Sequence, residues 1–267
     1  MKSFNLDLTG KRALVTGSTQ GIGFATARGL AEMGAVVAIN GRTAEAVDGA
    51  IIRLSDQVPD ARLVAAPGNL SAAEGCAAVI EAAGELDVLV NNMGIYSPKP
   101  WDDITDAEWQ EIFDVNVMSG VRLSRHYLSP MIGKDWGRVI FVSSESAIFI
   151  PPEMVHYGFS KMAQLAVARG CAELTKGTGV TVNSVLPGPT DVDRSAERLA
   201  KRAEQQGITV EALRKATFDV RRTSSLLQRY ATADEVASMI CYLCSPAASA
   251  SNGAAFRCDG GIVKTPY

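Results

Sequence analysis

The chain has 267 residues, of which 47% are hydrophobic and 21% are charged, as in average soluble globular proteins. This composition excludes a disordered chain, a collagen-like repeat and a coiled coil, and the net charge of −3 gives no basic surplus for nucleic acid or anionic membranes. No apolar run approaches the roughly 20 residues of a membrane helix, and the first residues, MKSFNLDLTGKR, lack the apolar core of a signal peptide. Five cysteines, an odd number, fit a reducing compartment, so we predict a cytoplasmic protein. From the charge and the apolar runs we predict no nucleic-acid or membrane partner.

Short β-branched apolar runs alternate with Ala-rich helical stretches along the chain. The predicted strands are Arg12–Thr16, Ala35–Asn40, Arg62–Ala66, Asp87–Asn91, Arg138–Ser143, Val180–Leu186 and Ala254–Cys258. The helices predicted between the first four strands are Gly21–Met33, Ala44–Gln57 and Ala72–Ala83. Strands that are apolar on both faces and separated by helices indicate a parallel sheet covered on both sides. We therefore predict one α/β domain over residues 1–267, a doubly wound, Rossmann-like parallel sheet of about seven strands that binds its ligand beyond the carboxyl ends of the strands.

One segment, from Thr190 to Tyr230, breaks this alternation. It is polar and helical in character and contains nine Lys or Arg residues and six Asp or Glu residues. A solvated helical excursion would explain such a composition. Because the segment also follows directly on the carboxyl end of a predicted strand, where a ligand is expected, we predict a substrate lid at about 190–230.

Glycines dominate the turn after the first predicted strand, which reads TGSTQGIG from Thr16 to Gly23. Such residues let the backbone turn tightly and approach a pyrophosphate, while the N-terminus of the next helix offers unpaired N–H groups. An ordinary strand-to-helix turn is the alternative, because Gly17, Gly21 and Gly23 do not have the G-x-G-x-x-G spacing. The position of this turn, after the first strand of an alternating pattern, favours a nucleotide site.

Tyr157 and Lys161 are four residues apart in the segment YGFSK and therefore share one face of a predicted helix. An ammonium group beside a phenol favours the phenolate and lowers its pKa from the usual value of about 10. A phenol tuned in this way can protonate a carbonyl oxygen or deprotonate an alcohol. Taken in isolation, the two residues are more typical of a surface Tyr/Lys pair than of a catalytic pair.

Further residues follow in a fixed order along the chain. They are the strand-end Asn91-Asn92-Met93-Gly94, Asn116, Ser144 after the strand VIFVS, Pro187-Gly188, and Asp259-Gly260-Gly261. Together with the glycine turn and YGFSK, this combination resembles the short-chain dehydrogenase/reductase family in its compact single-domain form. The resemblance covers the chain from about Leu8 to Gly261.

The resemblance implies an oxidoreductase that transfers a hydride between a nicotinamide cofactor and a small carbonyl or secondary alcohol. Tyr157 would be the general acid/base, and Lys161 would lower its pKa and hold the nicotinamide ribose. Ser144 would hydrogen-bond the substrate oxygen, and Asn116 would anchor a water that relays protons. The resemblance also implies a homotetramer or homodimer. The implied cofactor-binding residues are Gly17, Thr19, Gln20, Gly21, Ile22, Gly23, Asn69, Leu70, Asn92, Gly94, Tyr157, Lys161, Pro187, Gly188 and Thr190.

The segment after the second predicted strand, Ile39-Asn40-Gly41-Arg42, bears on the choice of cofactor. An acidic residue there would bind the adenosine 2′-hydroxyl and repel a 2′-phosphate, and Gly41 stands where NAD-using relatives often carry Asp. Arg42 follows, and a guanidinium suits a phosphate. Gln20, however, is neutral where many NADP-using relatives have Lys or Arg. We predict a preference for NADP(H), with NAD(H) as the alternative.

Several alternatives stay open at this point. The chain could reduce 3-oxoacyl groups on an acyl carrier protein, or it could be a nicotinamide-binding regulator without turnover. Its length and glycine spacing disfavour a sugar epimerase or dehydratase of the longer related type. Glu145 and His156, which adjoin Ser144 and Tyr157, either face the substrate or point to solvent or an interface. With two histidines and a lone Cys-x-x-Cys at Cys241, we expect core packing and no metal site.

Overall fold

The computed structural model describes residues 4–266, and the side chains of those residues apart from 193–198. Residues 1–3 and 267 of the predicted domain lie outside this part. The strands are β1 Arg12–Val15, β2 Val36–Ile39, β3 Arg62–Ala65, β4 Val88–Asn91, β5 Gly137–Val142, β6 Val180–Pro187, β7 Thr190–Asp191, β8 Ala231–Thr232 and β9 Ala255–Cys258. Seven of them form one parallel sheet in the order β3-β2-β1-β4-β5-β6-β9. The predicted doubly wound α/β fold is confirmed, and each predicted end of these seven strands is within one residue of the observed one.

The described helices are α1 Gly21–Glu32, α2 Ala44–Gln57, α3 Ala73–Ala83, α4 Asp106–Phe113, α5 Ser119–Gly133, α6 Val155–Glu173, α7 Asp193–Gln206, α8 Val210–Ala216 and α9 Ala233–Cys244. Six of these helices cover the two faces of the sheet. Side chains of α1, α2 and α9 pack in one core with Val15 and Val90, and side chains of α3, α5 and α6 pack in a second core with Leu14 and Leu89. Alternate residues of a strand point to opposite faces, so each central strand supplies both cores.

The sheet has a switch point between β1 and β4. These strands are neighbours, with Val15 aligned with Val90, although the chain runs outward through β2 and β3 before it returns to β4. Connections then leave β1 and β4 in opposite directions and open a crevice beyond their carboxyl ends, where ligands bind in folds of this kind. The glycine turn after β1 lies at this crevice.

The segment predicted as a lid leaves the sheet after β6 and returns before α9. Its ends are joined by the short parallel pair β7 and β8, in which Thr190 is aligned with Ala231. Between them, Leu199 of α7 and Leu213 of α8 belong to a small separate core, and Arg214 forms an ion pair with Asp191 at 2.8 Å. The segment is thus a packed helical unit held at both ends. Among the helices of residues 4–266, none combines the length and the apolar character that crossing a membrane requires.

Candidate active site

A cleft of about 600 Å³ opens beyond the carboxyl ends of β4, β5 and β6. The sequence-predicted residues that line it come from five separate stretches of the chain, and parallel strand ends bring them to one edge of the sheet. They are Ile22, Asn92, Gly94, Ser144, Tyr157, Lys161, Pro187, Gly188 and Thr190. The other predicted residues lie along the glycine turn and the ends of β2 and β3, or beneath the floor of the cleft.

The glycine turn is held open by backbone geometry and by two asparagines. Gly17 and Gly21 have φ of +60° and +58°, and a Cβ on Gly23 would lie only 2.4 Å from the carbonyl oxygen of Gly17. Asn92 donates hydrogen bonds to the carbonyls of Thr16 and Gly17 (2.9 and 3.2 Å), and Asn40 Oδ1 accepts one from the Gly17 amide (3.1 Å). This cradle suits a group that must approach the backbone closely. The sequence analysis did not identify the contribution of Asn40.

The N-terminus of α1 follows this cradle without a side-chain cap. Gln20 is the residue before the helix, and its side chain caps no backbone N–H group. The first amides of α1 therefore remain available as donors to an anion, and the helix dipole favours negative charge there. Ile22, in the first turn, lines the cleft.

At the end of β2, Gly41 is closely packed. A Cβ at this position would lie 2.5 Å from Thr19 Cγ2 and 3.2 Å from Val47 Cγ2. Arg42 is exposed, and Arg53 of α2 donates a hydrogen bond to the Thr19 carbonyl at 2.7 Å. The region therefore combines a position without room for an acidic side chain with two cations. Arg53 was missed because nothing in the local sequence shows that α2 returns it to the glycine turn.

The two residues predicted after β3 differ in their exposure. Asn69 is exposed, and its Oδ1 accepts a hydrogen bond from the Ser71 amide at 3.3 Å. The side chain of Leu70 is only 1% exposed and packs in the second core. Leu70 can therefore meet a ligand in the cleft only through its backbone.

Tyr157 lies in the first turn of α6 and lines the cleft together with Ser144. Burial raises the pKa of its phenol, a hydrogen bond with Ser144 lowers it in part, and the nearby carboxylate of Glu145 raises it further. The net shift is therefore upward, opposite to the lowering that the Tyr157–Lys161 spacing predicts, and the part that Lys161 plays in this pKa stays a prediction. Burial destabilises the phenolate more than the hydrogen bond with Ser144 stabilises it, so the phenol is protonated at neutral pH.

Lys161 lies on the floor of the cleft and is only 4% exposed. Its Nζ is 5.6 Å from the centre of the Tyr157 ring and donates hydrogen bonds to the Val142 carbonyl (2.9 Å) and to Gln164 Oε1 (3.2 Å). Burial lowers the pKa of this amine to about 7. A lysine that is partly neutral supplies less positive charge to the phenol, which is consistent with the direction found for Tyr157.

Asn116 lies in a π-helical turn, Asp114–Met118, between α4 and α5. Its side chain accepts a hydrogen bond from the Ile95 amide (2.7 Å) and donates to the Ile95 carbonyl and to Ser160 Oγ (both 2.9 Å). The carbonyl of Asn116 accepts a hydrogen bond from Gln164 Nε2 at 2.5 Å. Gln164 therefore connects Lys161 to Asn116 directly, a link that the sequence analysis did not foresee. A water relay through Asn116 stays a prediction.

The far side of the cleft is formed by the end of β6. A Cβ on Gly188 would lie 2.8 Å from the Asp259 carbonyl oxygen, so the backbone passes close to the strand end of β9. Thr190 Oγ1 donates a hydrogen bond to the Gly188 carbonyl at 2.9 Å. Pro187, Gly188 and Thr190 thus form one wall of the cleft, and their contact with a nicotinamide stays a prediction.

Of the two residues that the sequence left undecided, one faces the cleft. Glu145 lines it, whereas His156 is buried and packs its ring against Trp109, with ring centres 5.9 Å apart. Further lining residues come from the segment 190–230, namely Val192, Leu199, Arg202, Thr217, Arg221, Arg222 and Tyr230. In the part of the chain that the structure describes, no group of three or more His, Cys, Asp or Glu side chains is placed to hold a metal ion.

Comparison with known proteins agrees with this architecture. Residues 11–203 match the sequence profile of the family described as short chain dehydrogenase. The uncharacterised oxidoreductase YvaG of Bacillus subtilis is 46% identical over 262 residues, which are 98% of this chain and 99% of the relative. D-beta-hydroxybutyrate dehydrogenase of Cupriavidus necator is 31% identical over 96% of this chain and 99% of its own length.

A solved structure extends the comparison to the fold. The crystal structure of L-sorbose reductase from Gluconobacter frateurii, complexed with NADPH and L-sorbose, superposes with a TM-score of 0.92 and 27% identity. The match covers 98% of this chain and 99% of that one. The chain therefore belongs to the short-chain dehydrogenase family, whose members are oxidoreductases acting on CH–OH and C=O groups.

Proposed function

We propose that this protein is an NADP(H)-dependent oxidoreductase that interconverts a ketone and a secondary alcohol, with Tyr157 as the proton donor and acceptor. The observation that carries the proposal is the meeting of Ser144, Tyr157 and Lys161 in one cleft at the carboxyl edge of the sheet. The three come from two separate elements, and all of them are wholly or partly buried. A structural Tyr/Lys pair would not require a cleft beside it.

The residues around the glycine turn fit a dinucleotide. The cradle of Gly17, Gly21 and Gly23 would accept the pyrophosphate, and the uncapped N-terminus of α1 would donate to it. Gly41 leaves no room for the carboxylate that would select NAD, and Arg42 would bind the 2′-phosphate. The NADPH complex of the structurally similar L-sorbose reductase supports the same preference. NAD(H) remains the alternative.

The bound nicotinamide would supply or accept the hydride at the substrate carbon. Ser144 and Tyr157 would hold the substrate oxygen, because both line the cleft within reach of one another. In reduction the Tyr157 phenol gives its proton to the developing alkoxide, which is a much stronger base than a phenolate. Lys161 would hold the nicotinamide ribose and, through Gln164, keeps its position relative to Asn116.

The segment 190–230 would act as the lid over this site. Its residues line the cleft, and the β7–β8 pair joins its two ends. Such an arrangement can exclude water while leaving a route for the substrate. The single-domain organisation, the cytoplasmic location and the homotetramer or homodimer all stay predictions from the sequence, and light scattering tests the assembly.

The experiment is oxidation of NADPH and of NADH, followed optically, across ketones, quinones, keto-sugars and a 3-oxoacyl thioester. We expect turnover that falls by about 10²–10⁴-fold in Tyr157→Phe, the range of a lost general acid. Tyr127→Phe, which removes a buried phenol hydroxyl outside the cleft, is the matched control and should retain activity. Equal activity in Tyr157→Phe and the native protein would refute the proposal, and turnover only of the thioester would favour the acyl-carrier alternative.

A further inference from the structure

Glu145 is a buried carboxylate that the proposed proton transfer does not use. It is 5% exposed, directly follows Ser144 and lines the same cleft. Burying a carboxylate is costly unless it is paired and hydrogen-bonded. Neighbouring groups must therefore stabilise the carboxylate of Glu145 in its buried position beside Ser144.

The two oxygens of this carboxylate have different surroundings. Oε2 accepts hydrogen bonds from Ser144 Oγ (2.6 Å) and from the Ser146 amide (3.0 Å). Oε1 faces Nε of Arg222 at 3.4 Å, in an ion pair whose side chains are 13% and 6% exposed. Among the residues whose side chains are described, none donates a hydrogen bond to Oε1. Arg222 thus neutralises the charge, while one carboxylate oxygen keeps its capacity to accept a hydrogen bond.

Arg222 is held in this position by the segment 190–230. It follows the π-helical turn Thr217–Arg221, and its guanidinium lies over the ring of Phe149 at 5.6 Å. Nε of Arg222 is itself buried and makes no hydrogen bond within the described structure. Because Nε is enclosed, it is placed to pair with the carboxylate of Glu145, and an anion in the cleft has no access to it.

The acceptor oxygen is suited to a hydroxyl group of the substrate. Ser144 donates its single hydroxyl proton to Glu145 Oε2 in this structure. When that hydroxyl turns to donate to a substrate carbonyl oxygen instead, the carboxylate stays beside it, so a donor on the adjacent carbon would reach the carboxylate. A hydroxyl there would donate a charge-assisted hydrogen bond, which is roughly twice as strong as a neutral one. A carboxylate group in place of that hydroxyl-bearing carbon would be repelled by Glu145. An alkyl group would leave the buried acceptor unsatisfied.

We propose that Glu145 selects substrates with a hydroxyl on the carbon next to the carbonyl, namely α-hydroxy ketones and the vicinal diols formed from them. The inference rests on the proposed function, because it takes Ser144 as the residue that meets the carbonyl oxygen. Glu145 is then a specificity-determining residue, and Arg222 positions it.

The test compares the kcat/KM for 1-hydroxybutan-2-one with that for butan-2-one, using NADPH, in the native protein and in Glu145→Gln. We expect the native protein to prefer the hydroxy ketone, and Glu145→Gln to reduce that preference about tenfold, the difference between a charge-assisted and a neutral hydrogen bond. Glu145→Leu combined with Arg222→Met, which leaves no unpaired charge, should abolish the preference. Asp191→Asn is the control, because it breaks the ion pair with Arg214 in the same segment and does not line the cleft; its preference should match that of the native protein.

Each other outcome has a definite meaning. Turnover that depends on Tyr157 but is indifferent to the hydroxyl, or unchanged by both Glu145 variants, overturns this inference and leaves the proposed function intact. A preference for 2-oxobutanoate that is lost in Arg222→Met overturns it in favour of an anion site. Turnover equal in Tyr157→Phe and the native protein overturns the proposed function and this inference together.

Discussion

The close packing around Gly41 predicts how much stability the protein loses when this glycine gains a side chain. Replacing Gly41 by Ala places a Cβ 2.5 Å from Thr19 Cγ2, whereas carbon atoms in contact are normally about 3.5–4.0 Å apart. An overlap of about 1 Å in a buried position costs about 1–3 kcal/mol. Since 1 kcal/mol shifts the melting temperature by roughly 2–4 °C in a chain of this size, we expect Gly41→Ala to lower it by several degrees.

Thr19→Ala provides the control that isolates this contact. It removes Cγ2 and leaves the Thr19 Cβ at 3.8 Å from the new methyl group, an ordinary contact. Thr19→Ala with Gly41→Ala should therefore be less destabilised than the sum of the two single variants, with a coupling of about 1–3 kcal/mol in a double-mutant cycle. Thermal or urea unfolding measures all four proteins. Additive effects, or a Gly41→Ala variant as stable as the native protein, would refute the packing argument.

The same pair of positions controls the cofactor in the proposed function. We expect Gly41→Asp alone to lose activity with NADPH without gaining activity with NADH, because the clash displaces the glycine turn as the carboxylate repels the 2′-phosphate. In the Thr19→Ala background the 2.5 Å contact is gone, and Val47 Cγ2, at 3.2 Å from the new Cβ, has to shift by only a few tenths of an ångström. The ratio of kcat/KM for NADH to that for NADPH should therefore rise. A rise of equal size with Thr19 in place would show that the steric block is absent.

Three further predictions follow from the site. Arg42→Ala should raise the KM for NADPH about tenfold or more, as expected for one charge-assisted contact to a phosphate, and leave that for NADH nearly unchanged; equal changes would remove its assigned role. Lys161→Met should stabilise the nucleotide-free protein, more near pH 7 than near pH 10. In the native protein the pKa of Lys161 is about 7, below the ordinary 10.5, so between these pH values Lys161 is protonated in the unfolded chain and mostly neutral in the native one. The native protein therefore loses stability as the pH drops from about 10 to about 7. Melting curves of both proteins at the two pH values check the sign. Gln164→Leu should lower kcat about tenfold and shift its pH profile, with little change in the KM for NADPH, whereas an unchanged profile would make Gln164 a packing residue.

The sheet and the order of the motifs could be predicted because their signals are local. The β-branched runs set each strand within one residue, and helical spacing places Tyr157 and Lys161 on one face of α6. Gln164 is three residues after Lys161 on the same helix, so the same spacing argument identifies it once Lys161 is assigned. The glycine turn was identified by its position, and its support by Asn40 depends on the return of β2 to β1.

The contacts that the sequence analysis missed depend on tertiary structure. Arg53 reaches Thr19 across the glycine turn, and Arg222 reaches Glu145 from a segment far along the chain. No periodicity links such pairs, because each depends on how a helical segment packs over the sheet edge. The predicted lid placed several arginines near the cleft but could not show which one meets a buried carboxylate.

The shift of the Tyr157 pKa differs from the one that the sequence predicts for a related reason. A sequence shows that an amine and a phenol are neighbours, and neighbouring charge alone favours the phenolate. Burial opposes the charged form of each group, which lowers the pKa of Lys161 to about 7 and raises that of Tyr157, and the carboxylate of Glu145 raises the latter further. The resulting protonated phenol is prepared to donate a proton, as carbonyl reduction requires, whereas alcohol oxidation must first remove that proton. Glu145, which we propose binds the substrate hydroxyl, thus also favours the protonated form of Tyr157, the form from which carbonyl reduction starts.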